Sequence, residues 1–215
     1  MIPPLHVVTD DRILARSGFS AAAIEVLEAG GARVALHVRG PRSSGRALYR
    51  AAAGLIRPAR RTGSWLVVND RVDVALVLGI SRVHLGGRSM PAAVARRLLG
   101  PDAQVGRSVH SAAEAGGDDG RIDYLLAGAV FATPSHAGIA PGGIDVVRAV
   151  AAASPAPVVG IGGITAGRAP QVLAAGARGV AVIRAVWDAP SPGDGVRRLL
   201  DLWPEERQPP EWTAR

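Results

Sequence analysis

Four of the five histidines lie at or just after the ends of short apolar runs, where parallel strands would end. They are His37, His84, His110 and His136, while His6 lies inside the first run. Histidine takes up and returns a proton near neutral pH, so this grouping favours acid–base chemistry. His110 opens a predicted helix at such an end, and we interpret it as the catalytic residue. No pair of histidines has the close spacing of a zinc motif, so the sequence predicts no metal site from them.

A glycine turn near the C-terminal end predicts a second kind of chemistry, the binding of a phosphate. The apolar run at residues 157–161 leads into Gly162 and Gly163, and another run at residues 179–183 leads into Arg184. Glycines between a strand and a helix leave backbone N–H groups free at a positive helix terminus, which suits a phosphate. We expect the phosphate to be held by backbone N–H groups of both turns, on Gly162, Gly163, Ile183 and Arg184.

The composition excludes several classes of function. All 25 basic residues are arginine, and the formal net charge is +7. Arginine binds phosphate bidentately but offers no amine for Schiff-base or P-loop chemistry. The arginines are scattered along the chain, which predicts that they lie on solvated helix faces and that the protein has no nucleic-acid partner. The absence of cysteine excludes disulfides and thiol nucleophiles. No uncharged apolar run reaches about 18 residues, so we expect no membrane partner and a cytoplasmic location.

The elements that position these residues alternate along the whole chain. Eight apolar runs are predicted strands, at residues 5–9, 34–38, 65–69, 82–85, 104–108, 124–130, 157–161 and 179–183. Helical patterns lie between and after them, at residues 20–29, 44–60, 72–78, 91–99, 111–115, 144–153, 166–175 and 193–203. This repeat predicts an α/β fold, a single-domain (β/α)8 TIM barrel over residues 1–203 with a tail at 204–215. A doubly wound sheet is the alternative, but its glycine fingerprint follows the first strand.

Reacting groups of such a barrel lie at the carboxyl ends of the strands. Polar residues occupy these ends at Arg39, Asn69, Asp70, His84, Thr133 and His136, besides His110. Asn69 or Asp70 also has a structural interpretation, as the cap of the helix that follows, and residues 111–114 form a capping box after His110. Asp70 alone is a poor magnesium ligand unless a second carboxylate joins it.

Over almost its whole length the chain resembles the thiamine phosphate synthase and TenI superfamily. The segments that carry the resemblance are residues 5–10, 66–75, 83–86, 106–111, 123–133 and 160–165, among them Asn69-Asp70-Arg71 and Arg107-Ser108-Val109-His110. The resemblance implies a (β/α)8 barrel with a thiazole phosphate held by the loops after strands seven and eight. Its synthase branch joins a pyrimidine diphosphate to thiazole phosphate with magnesium. Its TenI branch aromatises a thiazole carboxylate phosphate tautomer by a proton shift without metal.

Three positions depart from the pattern of the synthase branch. Pro41 and His136 stand where synthases carry lysines, and Ser89 stands where they carry an aspartate that binds magnesium. A diphosphate would lose several charge-assisted contacts, each worth roughly 1.5–3 kcal/mol, unless Arg42 or Arg88 replaces them. We therefore expect the chain to lie closer to the TenI branch and to need no cofactor. Magnesium, with Asp70 as its ligand, enters only if the chain is a synthase.

The predicted function is that of a thiazole tautomerase, an isomerase of thiamine biosynthesis. His110 removes a ring proton and returns it at the neighbouring position. Arg39 pairs with the substrate carboxylate, Asn69 or His84 orients the ring, and Thr133 and His136 also contact the substrate. Two alternatives stay open, a thiamine phosphate synthase and a non-catalytic protein that binds thiazole or thiamine phosphates. The expected partners are a small phosphorylated thiazole and a second copy of the chain in a homodimer. The sequence assigns no role to His37.

Overall fold

The computed structural model describes residues 1–116, 122–133 and 140–203. Eight parallel strands pair in chain order and close into a barrel, with the last strand beside the first. The strands are β1 Leu5–Val8, β2 Val34–Val38, β3 Trp65–Asn69, β4 Arg82–Leu85, β5 Gln104–Val109, β6 Tyr124–Gly128, β7 Val158–Ile161 and β8 Gly179–Val182. The predicted α/β fold class and the single-domain (β/α)8 TIM barrel are thereby confirmed.

Ten α-helices connect or follow these strands in the described part of the chain, besides a short 3-10 helix at Gly31–Arg33. Their bounds are α1 Asp11–Leu14, α2 Phe19–Gly30, α3 Gly45–Thr62, α4 Val72–Val77, α5 Ala92–Leu99, α6 Ala112–Gly116, α7 Gly143–Ala153, α8 Ala169–Ala174, α9 Arg184–Trp187 and α10 Pro192–Leu200. Two of them, α1 and α9, were absent from the sequence-based expectation because four residues are too few to show a helical period. None of the described helices is both long and apolar enough to cross a membrane.

Burial on both faces explains the composition of the strands. The strands are rich in valine, leucine and alanine, and almost every strand position is buried, as in parallel sheets covered by helices. The interior also holds aromatic rings, because His6, His37 and His84 lie around Tyr124. Gly106 on β5 gives the tyrosine room, since a Cβ there would lie 2.1 Å from its Cζ atom. Tyr124 and the three histidines thus fill the barrel where a more usual core would hold aliphatic side chains.

The structure corrects the interpretation of Asn69 or Asp70 as a helix cap. Helix α4 begins after Arg71, which makes no side-chain capping bond, and Asp70 adopts a φ of 62°. The Asp70 carboxylate instead accepts a hydrogen bond of 2.9 Å from the backbone N–H of Gly86, in the loop after β4. Asp70 therefore connects two loops at the barrel mouth. The predicted tail at residues 204–215 lies outside the described residues, so the boundary at residue 203 stays a prediction.

Candidate functional site

Three adjoining cavities lie at the carboxyl ends of the strands. The central cavity, of about 70 Å³, is lined from β2 to β5 by Arg39, Asn69, His84, Ser108 and His110. Those five residues also line a larger cavity of about 550 Å³ between the loops after β2, β3 and β4, here called the β2–β4 cavity. On the opposite side, the central cavity shares Ile161, Gly162 and Ile183 with a cavity of about 190 Å³, here called the β7–β8 cavity. One small space thus separates two larger ones.

The β7–β8 cavity has the form of an anion site. It is lined by the turn after β7 and by the start of α9, together with Thr133. In the described part of the chain, no acceptor takes a hydrogen bond from the backbone N–H groups of Gly162, Gly163, Ile183 and Arg184. Free N–H groups at a glycine turn and a helix start favour a phosphate.

The β2–β4 cavity is lined by cations and hydroxyl groups. Arg39, Arg71 and Arg88 line it, as do Ser43 and Ser89. Arg71 already pairs with Asp73, whereas Arg39 and Arg88 form no ion pair within the described residues. Two cations without carboxylate partners suit a bound anion of more than one charge.

Arg42, the other cation considered as a replacement, does not belong to this lining. Its Nε atom lies 3.6 Å from Oδ2 of Asp11, and its backbone N–H also donates to that carboxylate. Of the two arginines that sequence reasoning left open, the structure therefore places Arg88 at the cavity and Arg42 beside Asp11.

His110 is placed and oriented by two backbone contacts. Its Nδ1 atom bonds to the carbonyl oxygen of Gly128, at the end of β6. Because a carbonyl oxygen only accepts, Nδ1 carries the hydrogen, and in the neutral ring Nε2 is left as a proton acceptor. The backbone N–H of His110 donates to Oε2 of Glu114 over 3.0 Å, and the Glu114 N–H donates to Ser111 Oγ over 3.3 Å. This is the predicted capping box, with the carboxylate bonded one residue earlier than usual.

Hydrogen bonds connect the buried histidines to the polar residues above them. The Nε2 atom of His84 lies 2.8 Å from Ser108 Oγ, and its Nδ1 atom has no hydrogen-bond partner among the described residues. His37 contacts His6 on one side and Asn69 on the other, each over 2.9 Å. Burial lowers the pKa of His37 to about 4, and it lowers the pKa of His6 and of His84 well below the usual range. All three rings are therefore neutral near neutral pH.

We expect acid to destabilise the barrel through these rings. The unfolded chain takes up protons on its histidines below a pH of about 6.5, whereas the folded chain resists this until the pH nears the lowered pKa values. The stability that the neutral rings provide is complete above that pH and is lost as the pH falls towards 4. Through His37 alone, the free energy of unfolding at about pH 5 is expected to be lower than at neutral pH by about 2 kcal/mol.

Urea unfolding of the wild type and of His37→Gln, at about pH 7.5 and about pH 5, measures this loss. The variant is expected to lose less stability on acidification than the wild type. Equal losses in the two proteins would contradict the prediction.

Magnesium has one carboxylate available to it. Asp70 lines the β2–β4 cavity, and its Oδ1 atom accepts hydrogen bonds from the Gly86 N–H and from the hydroxyl of Ser89, whereas its Oδ2 atom has no hydrogen bond among the described residues. No group of three or more histidine, aspartate or glutamate side chains suited to a metal ion occurs among the described residues. Magnesium is often bound through one or two carboxylates, with phosphates and water as its other ligands. The donor set fits a magnesium ion that arrives with a phosphorylated substrate, and does not form a dedicated protein cage.

The structure brings most of the predicted site residues together. Arg39, Asn69, His84 and His110 line one cavity, while Thr133 lies with the glycine turn in the β7–β8 cavity. His136 lies outside the described residues. Sequence reasoning missed Ser108 as a cavity residue, although it stands in the segment Arg107-Ser108-Val109-His110 that carried the resemblance. The roles assigned to these residues stay proposals.

The family model described as Thiamine monophosphate synthase matches residues 5–186. The thiamine-phosphate synthase of Laribacter hongkongensis (strain HLHK9) is 42% identical over 179 residues, which cover 83% of this chain and 84% of that protein. The thiamine biosynthesis bifunctional protein ThiM/ThiE of Symbiobacterium thermophilum is 54% identical over 153 residues, which cover 70% of this chain but only 32% of that protein. This chain thus spans about a third of that bifunctional relative's length.

A solved structure of similar sequence also carries the name of a thiamine phosphate enzyme. Thiamine phosphate pyrophosphorylase from Pyrococcus furiosus superposes with a TM-score of 0.78 at 32% identity, covering 92% of this chain and 94% of that one. The resemblance to the superfamily is confirmed by these matches. The expected closer likeness to its TenI branch is not confirmed, because the similar proteins named above carry synthase names.

Proposed function

Because this chain belongs to the thiamine monophosphate synthase family, a family of thiamine biosynthesis enzymes, we propose that it is a thiamine-phosphate synthase. This transferase joins a pyrimidine diphosphate to thiazole phosphate. The observation that carries the proposal is the order of the cavities, with a central space that shares its lining with an anion site on either side. A reaction between two phosphorylated substrates needs two phosphate sites, whereas the isomerisation of one thiazole carboxylate phosphate needs one phosphate site and a contact for the carboxylate.

In this proposal the thiazole phosphate binds in the β7–β8 cavity. The backbone N–H groups of Gly162, Gly163, Ile183 and Arg184 hold its phosphate, and the ring extends into the central cavity. Backbone donors suit this task because they are fixed in place and carry no charge that must be desolvated.

The pyrimidine diphosphate binds in the β2–β4 cavity. Arg39 and Arg88 hold the diphosphate, and their positive charge stabilises it as it leaves. Arg39 lines both this cavity and the central one, so it can follow the leaving group from the reactant to the product. Asp70 would hold a magnesium ion that arrives with the substrate, and that ion would supply further positive charge to the diphosphate. Pro41 and Ser89 stand where the resemblance implies lysine and aspartate. The arginines therefore neutralise more of the diphosphate charge in this proposal.

Calorimetry tests the two-site layout separately from turnover. Thiazole phosphate is titrated into the full chain, once alone and once with the chain saturated by inorganic pyrophosphate. We expect the affinity for thiazole phosphate to change by less than about threefold, since the two anions occupy different cavities. A direct competition, in which the apparent Kd rises in proportion to the pyrophosphate concentration, would place both anions in one site and would overturn the proposal.

A thiazole tautomerase is the second candidate, and the orientation of His110 favours it. With the Nδ1 hydrogen held by Gly128, the Nε2 atom is the proton acceptor that a proton shift requires. In this proposal His110 is both base and acid, Arg39 pairs with the substrate carboxylate, and Asn69 or His84 orients the ring. The test offers the thiazole carboxylate phosphate tautomer to the wild type and to His110→Ala and follows the aromatic product. Equal rates would remove His110 from this reaction.

A further inference from the structure

A chain of hydrogen bonds runs through the barrel interior from its lower end to the central cavity. The carbonyl oxygen of Pro3 lies 3.1 Å from Nε2 of His6, and Nδ1 of His6 lies 2.9 Å from Nε2 of His37. Nδ1 of His37 in turn lies 2.9 Å from the side-chain amide of Asn69, with Oδ1 as the contacting atom. Both rings are fully buried, and Asn69 is 5% exposed at the cavity.

The lower end of this chain fixes the hydrogen positions of both neutral rings. The Pro3 carbonyl oxygen can only accept, so Nε2 of His6 carries its hydrogen and Nδ1 of His6 is an acceptor. The Nε2 atom of His37 must then donate to it, which leaves Nδ1 of His37 without a hydrogen. The position of the hydrogen on one ring thus decides its position on the next.

A bare Nδ1 atom on His37 requires a donor from Asn69. Rotation of the amide by half a turn about its Cβ–Cγ bond keeps the contact and places nitrogen where oxygen was. If the oxygen stays in that place, His37 needs a hydrogen on Nδ1. Either Nε2 of His6 then has no hydrogen and faces the Pro3 carbonyl oxygen as a second acceptor, or one of the two rings carries an extra proton. Burial opposes both, because neither an unpaired acceptor nor a charge is solvated there.

We propose that His6 and His37 are positioning residues that hold the Asn69 amide with its nitrogen towards His37 and its oxygen towards the central cavity. The oxygen then accepts a hydrogen bond from an N–H donor on the ring of a bound ligand. Asn69 lines the central cavity and the β2–β4 cavity assigned to the pyrimidine diphosphate, but not the β7–β8 cavity assigned to thiazole phosphate. The ligand is therefore the pyrimidine substrate; this last step rests on the proposed function.

Nitrogen NMR of the labelled full chain tests the hydrogen positions without any need for activity. At about pH 7, His6 and His37 are both expected to be neutral with the hydrogen on Nε2. In Asn69→Asp the carboxylate can only accept, so a hydrogen is expected to appear on Nδ1 of His37. A hydrogen on Nδ1 of His37 in the wild type, or a doubly protonated ring there, would overturn the proposal.

Kinetics test the recognition of the ligand. In His37→Phe the amide is no longer held, and KM for the pyrimidine diphosphate is expected to rise about tenfold while kcat changes less than about threefold. Tyr124→Phe is the control. Tyr124 is buried beside His6, but its hydroxyl group makes no hydrogen bond with Pro3, His6, His37 or Asn69. It is expected to leave KM and both rings unchanged. An unchanged KM in His37→Phe would remove the Asn69 oxygen from recognition, whereas an absence of turnover in the wild type would instead contradict the proposed synthase.

Discussion

Replacing Arg39 with methionine is expected to lower kcat/KM for thiamine phosphate formation by about a thousandfold. The guanidinium lines both the central and the β2–β4 cavity and forms no ion pair within the described residues. Its charge is therefore available to the diphosphate, and two charge-assisted hydrogen bonds of about 2 kcal/mol each account for the loss. Methionine keeps the apolar part of the side chain and leaves no carboxylate of the described chain unpaired. Steady-state kinetics with both substrates measure the effect.

Arg50→Met is the matched control for this change. Arg50 lies exposed on α3, lines none of the three cavities and forms no ion pair among the described residues. The substitution removes the same charge, so it reports the effect of net charge alone, and kcat/KM is expected to change by less than about twofold. The assignment of Arg39 to the diphosphate would be contradicted by equal losses in the two variants, or by full activity of Arg39→Met.

Gly162→Ala is expected to weaken the binding of thiazole phosphate by about a hundredfold. Gly162 has a φ of 108°, which side-chain-bearing residues rarely adopt, and a Cβ there would lie 2.8 Å from Cα of Ala129. The turn must therefore shift, which moves the N–H groups of Gly162 and Gly163 away from the position proposed for the phosphate. The loss of two such bonds, about 3 kcal/mol together, gives the expected factor. Calorimetry with thiazole phosphate measures it.

Gly167→Ala controls for the loss of a glycine in the same segment. A Cβ at Gly167 meets nothing within 4 Å, and its backbone does not require glycine. Binding of thiazole phosphate is expected to stay within about twofold of the wild type. Thermal unfolding of both variants shows whether the barrel is intact. Wild-type affinity in a folded Gly162→Ala protein would exclude the turn as the phosphate site.

The barrel was predictable from the sequence because parallel strands buried on both faces must be continuous apolar runs. All eight runs became strands, and their bounds differ from the expected ones by no more than two residues. The grouping of Arg39, Asn69, His84 and His110 followed from the same reasoning, since the carboxyl ends of all strands of a closed barrel meet at one face. Topology alone brought these residues to one cavity.

Contacts between neighbouring strands were not predictable in this way. His6, His37 and Asn69 are separated by more than 30 residues from one to the next, and they meet only because of the register of β1, β2 and β3. Asp70 was interpreted as a helix cap because a loop from another strand, which supplies the Gly86 N–H, has no signal in the local sequence. The sequence therefore identified the polar residues but not their partners.

The choice between the two branches of the superfamily also depended on information that motifs lack. Pro41 and Ser89 indicate lost diphosphate contacts, but they do not show whether a cavity remains. The structure has one of about 550 Å³ at this place, with Arg39 and Arg88 in its lining. Space and positive charge on this side of the mouth support a second substrate in spite of the departures.

The most direct test of the two-substrate proposal is the formation of thiamine phosphate by the purified full chain. The assay supplies the pyrimidine diphosphate, thiazole phosphate and magnesium, and a parallel assay supplies the thiazole carboxylate phosphate tautomer. The proposal predicts that thiamine phosphate forms with repeated turnover and that the rate depends on Arg39. Absence of thiamine phosphate, together with aromatisation of the tautomer that depends on His110, would contradict it.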